Sequence, residues 1–251
     1  SIVDENGVNA FEGLNRIETG GTLTLANGHQ LTLSDQLVIE PGGALNIING
    51  SARGTAAALA VTGDLTQDGG TVRFDNSTIE VSGSYFFNAG TLSGSGTVIG
   101  QFVNAAALTP GERIGAFNVQ GDFLMGASGS MEFDIAGLVD HDLVAVSGSL
   151  AAADLGAGAG EIVVNRLPSY FPRVGDAITI MTFGSYDAAS LDAVTYSGLG
   201  LPNGKFFEPM ITAAPGGSAL TLVVVPAPQV SSLFAVAAGL AAARRRRTIG
   251  S

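Results

Sequence analysis

The chain has 251 residues, 46% of them hydrophobic, which is enough to bury a core and excludes a disordered chain. Its 36 glycines, spread among Val, Leu, Ile and Thr, exclude a helical bundle, because each interior glycine costs a helix about 1 kcal/mol. The body before Arg244 sets 7 basic residues against 22 acidic ones, a balance that repels nucleic acid, and the lack of cysteine excludes disulfides, thiolate catalysis and Cys-based zinc sites.

Residues 1–19 read as a lead-in or cap. The chain starts at Ser1 without a charged-then-apolar leader, and if the protein is exported its signal peptide has been removed. A loose repeat follows. Gly20-Gly21-Thr22-Leu23-Thr24-Leu25, Gln30-Leu31-Thr32-Leu33, Gln36-Leu37-Val38-Ile39 and Gly42-Gly43-Ala44-Leu45-Asn46-Ile47 place Leu23, Leu31, Leu37 and Leu45 at steps of 8, 6 and 8. Residues 49–55 read as a loop projecting from one corner.

The repeat then tightens. Leu59, Leu65, Val72, Ile79, Tyr85, Leu92 and Val98 follow one another at steps of 6, 7, 7, 6, 7 and 6, with glycines between them. One short pattern recurs five times: Val, any residue, Gly, a polar residue, a large apolar residue. The copies begin at Val61, Val81, Val98, Val119 and Val146, and their glycines, Gly63, Gly83, Gly100, Gly121 and Gly148, are 20, 17, 21 and 27 positions apart. A period of about 20 residues suits one coil of three short strands and three sharp corners. Each apolar position begins a strand of alternating faces, and each glycine supplies a corner. The spacing predicts a parallel β-helix, a three-sided solenoid, over residues 20–130. An antiparallel sandwich also has short strands, but it spaces its turns at about 8–12 residues.

After residue 130 the apolar runs lengthen. Residues 161–164, 177–181, 192–196, 206–211 and 220–225 are separated by turn clusters such as 172–176, 201–205 and 214–218. This rhythm predicts an antiparallel β-sandwich-like cap over 131–225, which closes the last open edge of a stack. Residues 151–160, rich in Ala and Gly, read as a loop.

The end of the chain is its most specific feature. Val225-Pro226-Ala227-Pro228 precedes an uncharged run from Val230 to Ala243 that carries Leu233, Phe234, Val236 and Leu240, and Arg244, Arg245, Arg246 and Arg247 follow. The run is 14 residues, short for a spanning helix, which needs about 17–25. Four arginines behind an apolar helix stop translocation and stay cytoplasmic, so the body is expected outside the cytoplasm. A buried amphipathic helix with a basic end is the alternative, but the run has no polar face beyond Ser231 and Ser232.

Residues 225–247 resemble a PEP-CTERM sorting signal, with Ala227 where the usual motif has Glu. The resemblance implies a short hydrophobic C-terminal helix over 226–251, transient membrane attachment and an exosortase-type processing enzyme as partner. It implies delivery to the cell surface or extracellular matrix, and covers about a tenth of the chain. More loosely, Leu108-Thr109-Pro110-Gly111, Val119 to Phe123 and Asp140 to Gly148 are similar to autotransporter-like passenger repeats of bacterial surface proteins, over roughly residues 20–150.

Motifs for chemistry are sparse. The histidines are His29 and His141, in different parts of the chain, and neither a zinc-protease helix nor a nucleophile elbow is present. No cofactor or metal is expected. Asp140, His141 and Asp142 are the densest polar cluster, read as a capped turn before a strand rather than an acid–base pair. Glu132 and Asp134 flank Phe133 and share one face. Asp64, Ser84, Asp122 and Ser149 share one repeat position, so stacking in register would line a corner with them. The expectation is a structural or adhesion protein, with exopolysaccharide as a partner. The alternatives are a polysaccharide hydrolase built on paired carboxylates and a carbohydrate- or calcium-binding module. A lyase is disfavoured, because Arg16, Arg53, Arg73, Arg113, Arg166, Arg173 and Lys205 are scattered.

Overall fold

The computed structural model describes residues 11, 13–49, 56–111, 114–154 and 159–227. These are all-β, with one six-residue helix among the described residues. The strands are β1 (Arg16–Ile17), β2 (Thr22–Ala26), β3 (Gln30–Leu33), β4 (Leu37–Ile39), β5 (Ala44–Ile48) and β6 (Ala58–Val61). Then come β7 (Leu65–Asn104), an extended run of 40 residues, β8 (Ala107–Leu108), β9 (Ala116–Gln120), β10 (Phe123–Met125), β11 (Ser130–Ile135), β12 (Leu143–Ala152) and β13 (Glu161–Arg166). β14 (Ala177–Tyr186), α1 (Ala188–Ala193), β15 (Thr195–Ser197), β16 (Gly200–Leu201), β17 (Lys205–Ala214) and β18 (Gly217–Pro226) complete the order.

Alternation drives the strands. In β2 and β3 the leucines Leu23, Leu25, Leu31 and Leu33 point inward, while Thr22, Thr24, Gln30 and Thr32 face water. No such strand can bury its apolar face alone. Each therefore lies parallel on a later one in a shared ladder. Leu23 pairs with Leu45 and Leu45 with Val72; Leu31 pairs with Leu59 and Leu59 with Ile79. Further along, Leu92, Leu108, Met131, Ile162 and Tyr196 form a continuous parallel ladder through β7, β8, β11, β13 and β15.

The five-fold sequence pattern has a direct counterpart in this register. Val61 pairs with Val81, Val98 with Val119 and Val119 with Val146. Each spacing of pattern glycines from 63 to 83, 100 to 121 and 121 to 148 equals the separation of the valines that stack. Phe102, Phe123 and Leu150 stack in the same way one strand later. The stack fills its centre with rings: Phe102 lies 5.1 Å from Tyr85, 5.1 Å from Phe117 and 5.3 Å from Phe123, mostly edge to face.

Two expectations need correction. Parallel pairing does not end near residue 130. β11 lies on β13, β12 on β14 and β13 on β15, all parallel, so no sandwich occupies 131–225. Among the described strands, antiparallel pairing is confined to β14 with β18, β16 with β17 and β17 with β18, apart from one bridge between Ile135 and His141. The rhythm lengthens because the connections at 136–142 and 167–176 are longer, while the inward alternation of β11, β12 and β13 continues. The stack also begins earlier than residue 20, since Ile17 of β1 pairs with Ile39. The projecting loop at 49–55 lies outside the described residues from 50 onward, and Ala151 and Ala152 belong to β12 rather than to a loop. The hydrophobic helix expected within 226–251 lies outside the described residues from 228 onward; among the described residues no helix is long and apolar enough to cross a membrane.

Candidate functional site

Stacking brings the shared repeat position into one ladder at a corner. Asp64 Oδ1 accepts the Ser84 N–H at 2.8 Å, and the Ser84 hydroxyl donates to Gln101 Oε1 at 2.9 Å. Further along, Asp122 Oδ1 accepts both the N–H and the hydroxyl of Ser149, at 2.8 and 2.9 Å. These two donors hold the Asp122 carboxyl below its ordinary pKa. The corner is crowded as well as paired. A methyl group on Gly83 would run into the Asp64 carboxylate, and one on Gly148 into that of Asp122. The acidic side chains at this position are thus spent on the next turn of backbone.

In the Asp140-His141-Asp142 cluster, Asp142 and His141 are likewise bonded inward. Asp142 is fully buried, and its two oxygens accept the Gly115 and Asp134 N–H groups, each at 2.8 Å. It ties β11 to the segment that opens β9. Burial outweighs these two donors and pushes its carboxyl up to about 7, with the Asp134 charge adding to the rise. His141 Nε2 bonds to the Thr179 carbonyl at 3.0 Å, whereas its Nδ1 is buried without a partner. Asp140 accepts the Ala136 N–H through its backbone carbonyl and keeps its side chain exposed. Glu132 and Asp134 share the outer face of β11 around buried Phe133, as their spacing predicts. His29 sits in the exposed turn before β3, in a different region of the stack from His141. Among the described residues no group of three or more His, Asp or Glu side chains is placed to hold a metal ion.

An apolar recess lies beneath α1. Met125, Met131, Leu150, Ile162, Leu191 and Val194 line it, and its volume is about 10 Å³, room for no more than a single water. The polar side chain on its wall, Ser190, is engaged: its hydroxyl donates to Asp187 and accepts the Ala152 N–H.

The start of the candidate sorting motif is the end of the last strand. Val225 pairs with Phe206 and Pro226 with Lys205 across the antiparallel β17–β18 ladder. The Ala227 N–H then donates to the Gly204 carbonyl at 2.7 Å. Pro228, the apolar positions Val230, Leu233, Phe234, Val236 and Leu240, and the arginines Arg244, Arg245, Arg246 and Arg247 lie outside the described residues.

Sequence reasoning missed what surrounds this exit. The connection 167–176 is bonded to β18 through Gly175 N–H to Val224 O and Val224 N–H to Asp176 O. It carries exposed Phe171 and Val174, and the neighbouring connection carries exposed Leu138 and Val139. The available signal was large apolar residues set among Gly, Pro and Asp, where turn chemistry favours polar ones. Reading 172–176 only as a turn hid it. No family model matches the chain, and no curated protein matches it.

Proposed function

We propose that the protein is an exported structural or adhesion protein of the bacterial surface or extracellular matrix. Its body is a three-sided parallel β-helix, and its last residues are a PEP-CTERM-like sorting signal. The observation that carries the reading is the order of segments from the end of β18 onward: Val225-Pro226-Ala227-Pro228, the uncharged run Val230 to Ala243, and then Arg244 to Arg247. The parallel ladders that join Leu92 to Tyr196 through five strands support the β-helix form of the body. An acidic, inward-satisfied polar corner suits a spacer or scaffold for exopolysaccharide, because its side chains bond to the stack. The partner for processing is an exosortase-type enzyme, which acts near Pro226 to Pro228 after the tail has entered the membrane.

The test is mass spectrometry of the mature C-terminus from the native host, alongside a variant with Arg244 to Arg247 replaced by serine. Recovery from envelope or medium with a terminus near Pro228, and misrouting of the variant, are the expected results. An intact C-terminus on protein retained in the cytoplasm of both strains overturns the proposal.

A further inference from the structure

Near the exit of the tail lie four of the exposed large apolar side chains among the described residues. Val139, Phe171, Val174 and Leu138 are 96%, 81%, 59% and 48% exposed. They come from two connections that sit side by side. The Leu167 N–H donates to the Ile135 carbonyl at 2.8 Å, the Ser169 hydroxyl reaches the Ala136 carbonyl at 3.5 Å, and His141 Nε2 bonds to the Thr179 carbonyl at 3.0 Å. The second connection is fastened to the end of β18. Gly175 and Asp176 bond to Val224, and Lys205, which pairs with Pro226, donates from Nζ to the Pro172 carbonyl at 2.5 Å. Phe171 and Val174 therefore lie on the connection fastened at the end of β18, close to the last described residue, Ala227, and Leu138 and Val139 lie on the connection next to it.

Three of the 7 basic residues before Arg244, namely Arg166, Arg173 and Lys205, belong to this corner, together with Asp140 and Asp176. Arg166 bonds to the Leu167 and Tyr170 carbonyls and Lys205 to that of Pro172. Arg173 is exposed beside Phe171, and its backbone N–H donates to Asp176 at 2.7 Å. Exposed apolar tips with the exposed Arg173 side chain among them fit the boundary between headgroups and acyl chains of an anionic bilayer.

The tether fixes the geometry. Only Pro228 and Gln229 separate Ala227 from the apolar run that starts at Val230. At no more than about 3.6 Å per residue, Val230 lies within about 11 Å of Ala227. The headgroup layer on each side of a bilayer is about 5–8 Å thick. A tail inserted from Val230 onward therefore brings this corner to the lipid.

We infer that the corner formed by Leu138, Val139, Phe171 and Val174 is a membrane-docking surface of the unprocessed protein, seated on anionic lipid beside the inserted tail. The inference rests on the membrane reading of the tail. The corner holds the body against the outer leaflet and presents the stretch from Pro226 to Pro228 at the depth where a membrane-embedded processing enzyme works.

The chain contains no tryptophan, so single tryptophans report cleanly. The experiment places Phe171→Trp, Val139→Trp or, in the tail, Phe234→Trp in the full chain. Each is mixed with phosphatidylglycerol–phosphatidylcholine vesicles whose acyl chains are brominated. The expected result is quenching and a blue shift for all three, and loss of vesicle binding by at least about tenfold when Phe171, Val174, Leu138 and Val139 are replaced by serine. Quenching at 234 with none at 171 and 139 overturns the docking surface and leaves the tail reading intact. Quenching at 171 and 139 with none at 234 leaves the surface standing and overturns the tail reading. No quenching at any position overturns both. Shielding of the 171 reporter from iodide before lipid is added, without later quenching, means that the tail or a second copy covers the corner, and overturns the docking surface. Because all four positions are exposed, the β-sheet circular dichroism of every variant is expected to match the parent.

Discussion

The Tyr85 hydroxyl donates to Gln67 Oε1 at 2.8 Å inside the stack, with both side chains fully buried. Gln67 Nε2 in turn donates to the Thr91 carbonyl at 3.0 Å. Gln67 thus takes a place in the ladder where its partner residue is Ile39, and escapes the cost of burial only because both ends of its amide are met. Burial also pushes the Tyr85 phenol far above its ordinary pKa, so the hydroxyl remains a donor at any working pH.

Removing one partner is therefore worse than removing both. Tyr85→Phe strands Gln67 Oε1 and is expected to cost about 1–3 kcal/mol of stability. Tyr85→Phe combined with Gln67→Met removes the stranded Oε1 but also the donor to the Thr91 carbonyl, and is expected to recover part of that loss. Urea unfolding of the two single variants and the double variant closes the cycle. Additive losses would show that the pair is not coupled.

The glycines at the polar corner are held by space rather than by loop flexibility. Gly83 sits against the Asp64 carboxylate and Gly148 against that of Asp122, whereas nothing lies near the Cβ position of Gly200. Gly83→Ala and Gly148→Ala are each expected to destabilise by about 1–3 kcal/mol, since the first displaces the Asp64 carboxylate from the Ser84 N–H and the second also forces the Gly121 backbone to shift. Gly200→Ala is expected to fall within about 0.5 kcal/mol of the parent. Thermal melts of the three variants measure the difference, and equal effects at all three positions would refute the stacking argument.

The pairing register was legible because one pattern encodes two constraints at once. Val61 and Val81 must stack, and Gly63 and Gly83 must clear each other two residues later, so the same spacing appears in both residue types. That signal fades where connections grow. Val146 pairs with Phe183, and the long connections between β11 and β12 and between β13 and β14 conceal a ladder that continues unchanged. The antiparallel finish was expected through strands 206–211 and 220–225, but from residue 131 onward rather than from β14, since alternation alone carries no strand direction. At the candidate site, Val225 to Pro228 was readable as a motif. The apolar tips beside it were not, because Phe171 and Val139 are distant in sequence from the tail and meet it only through the bonds of Val224 to the 167–176 connection.

Asp142 makes stability fall as pH rises. The unfolded chain releases this proton near pH 3.9, whereas burial keeps it on the folded protein up to about 7. Between those values the folded state binds more protons, so each step upward favours unfolding, and the penalty is complete above about pH 7. Asp142→Asn removes this slope. It also turns an NH2 group toward the Gly115 or Asp134 N–H, which is expected to cost about 1–3 kcal/mol at low pH, where the parent carries no penalty. Urea midpoints from pH 4 to pH 8 test both parts; an unchanged slope in the variant would assign the pH dependence elsewhere.

Asp122 works in the opposite sense. Ser149 holds its carboxyl below the unfolded value, so its contribution is fully present above about pH 4 and is lost as pH falls through the folded value. Asp122→Ala is expected to be weaker than the parent at neutral pH and to converge on it in acid. The same geometry bears on calcium. A calcium ion needs six to eight oxygen ligands, and at this corner Asp122 Oδ1 already accepts two bonds from Ser149. Excess calcium is therefore expected to leave the melting temperature of the parent unchanged at constant ionic strength. A clear upward shift that disappears in Asp122→Ala would instead make this corner a cation site and the body a calcium-dependent module.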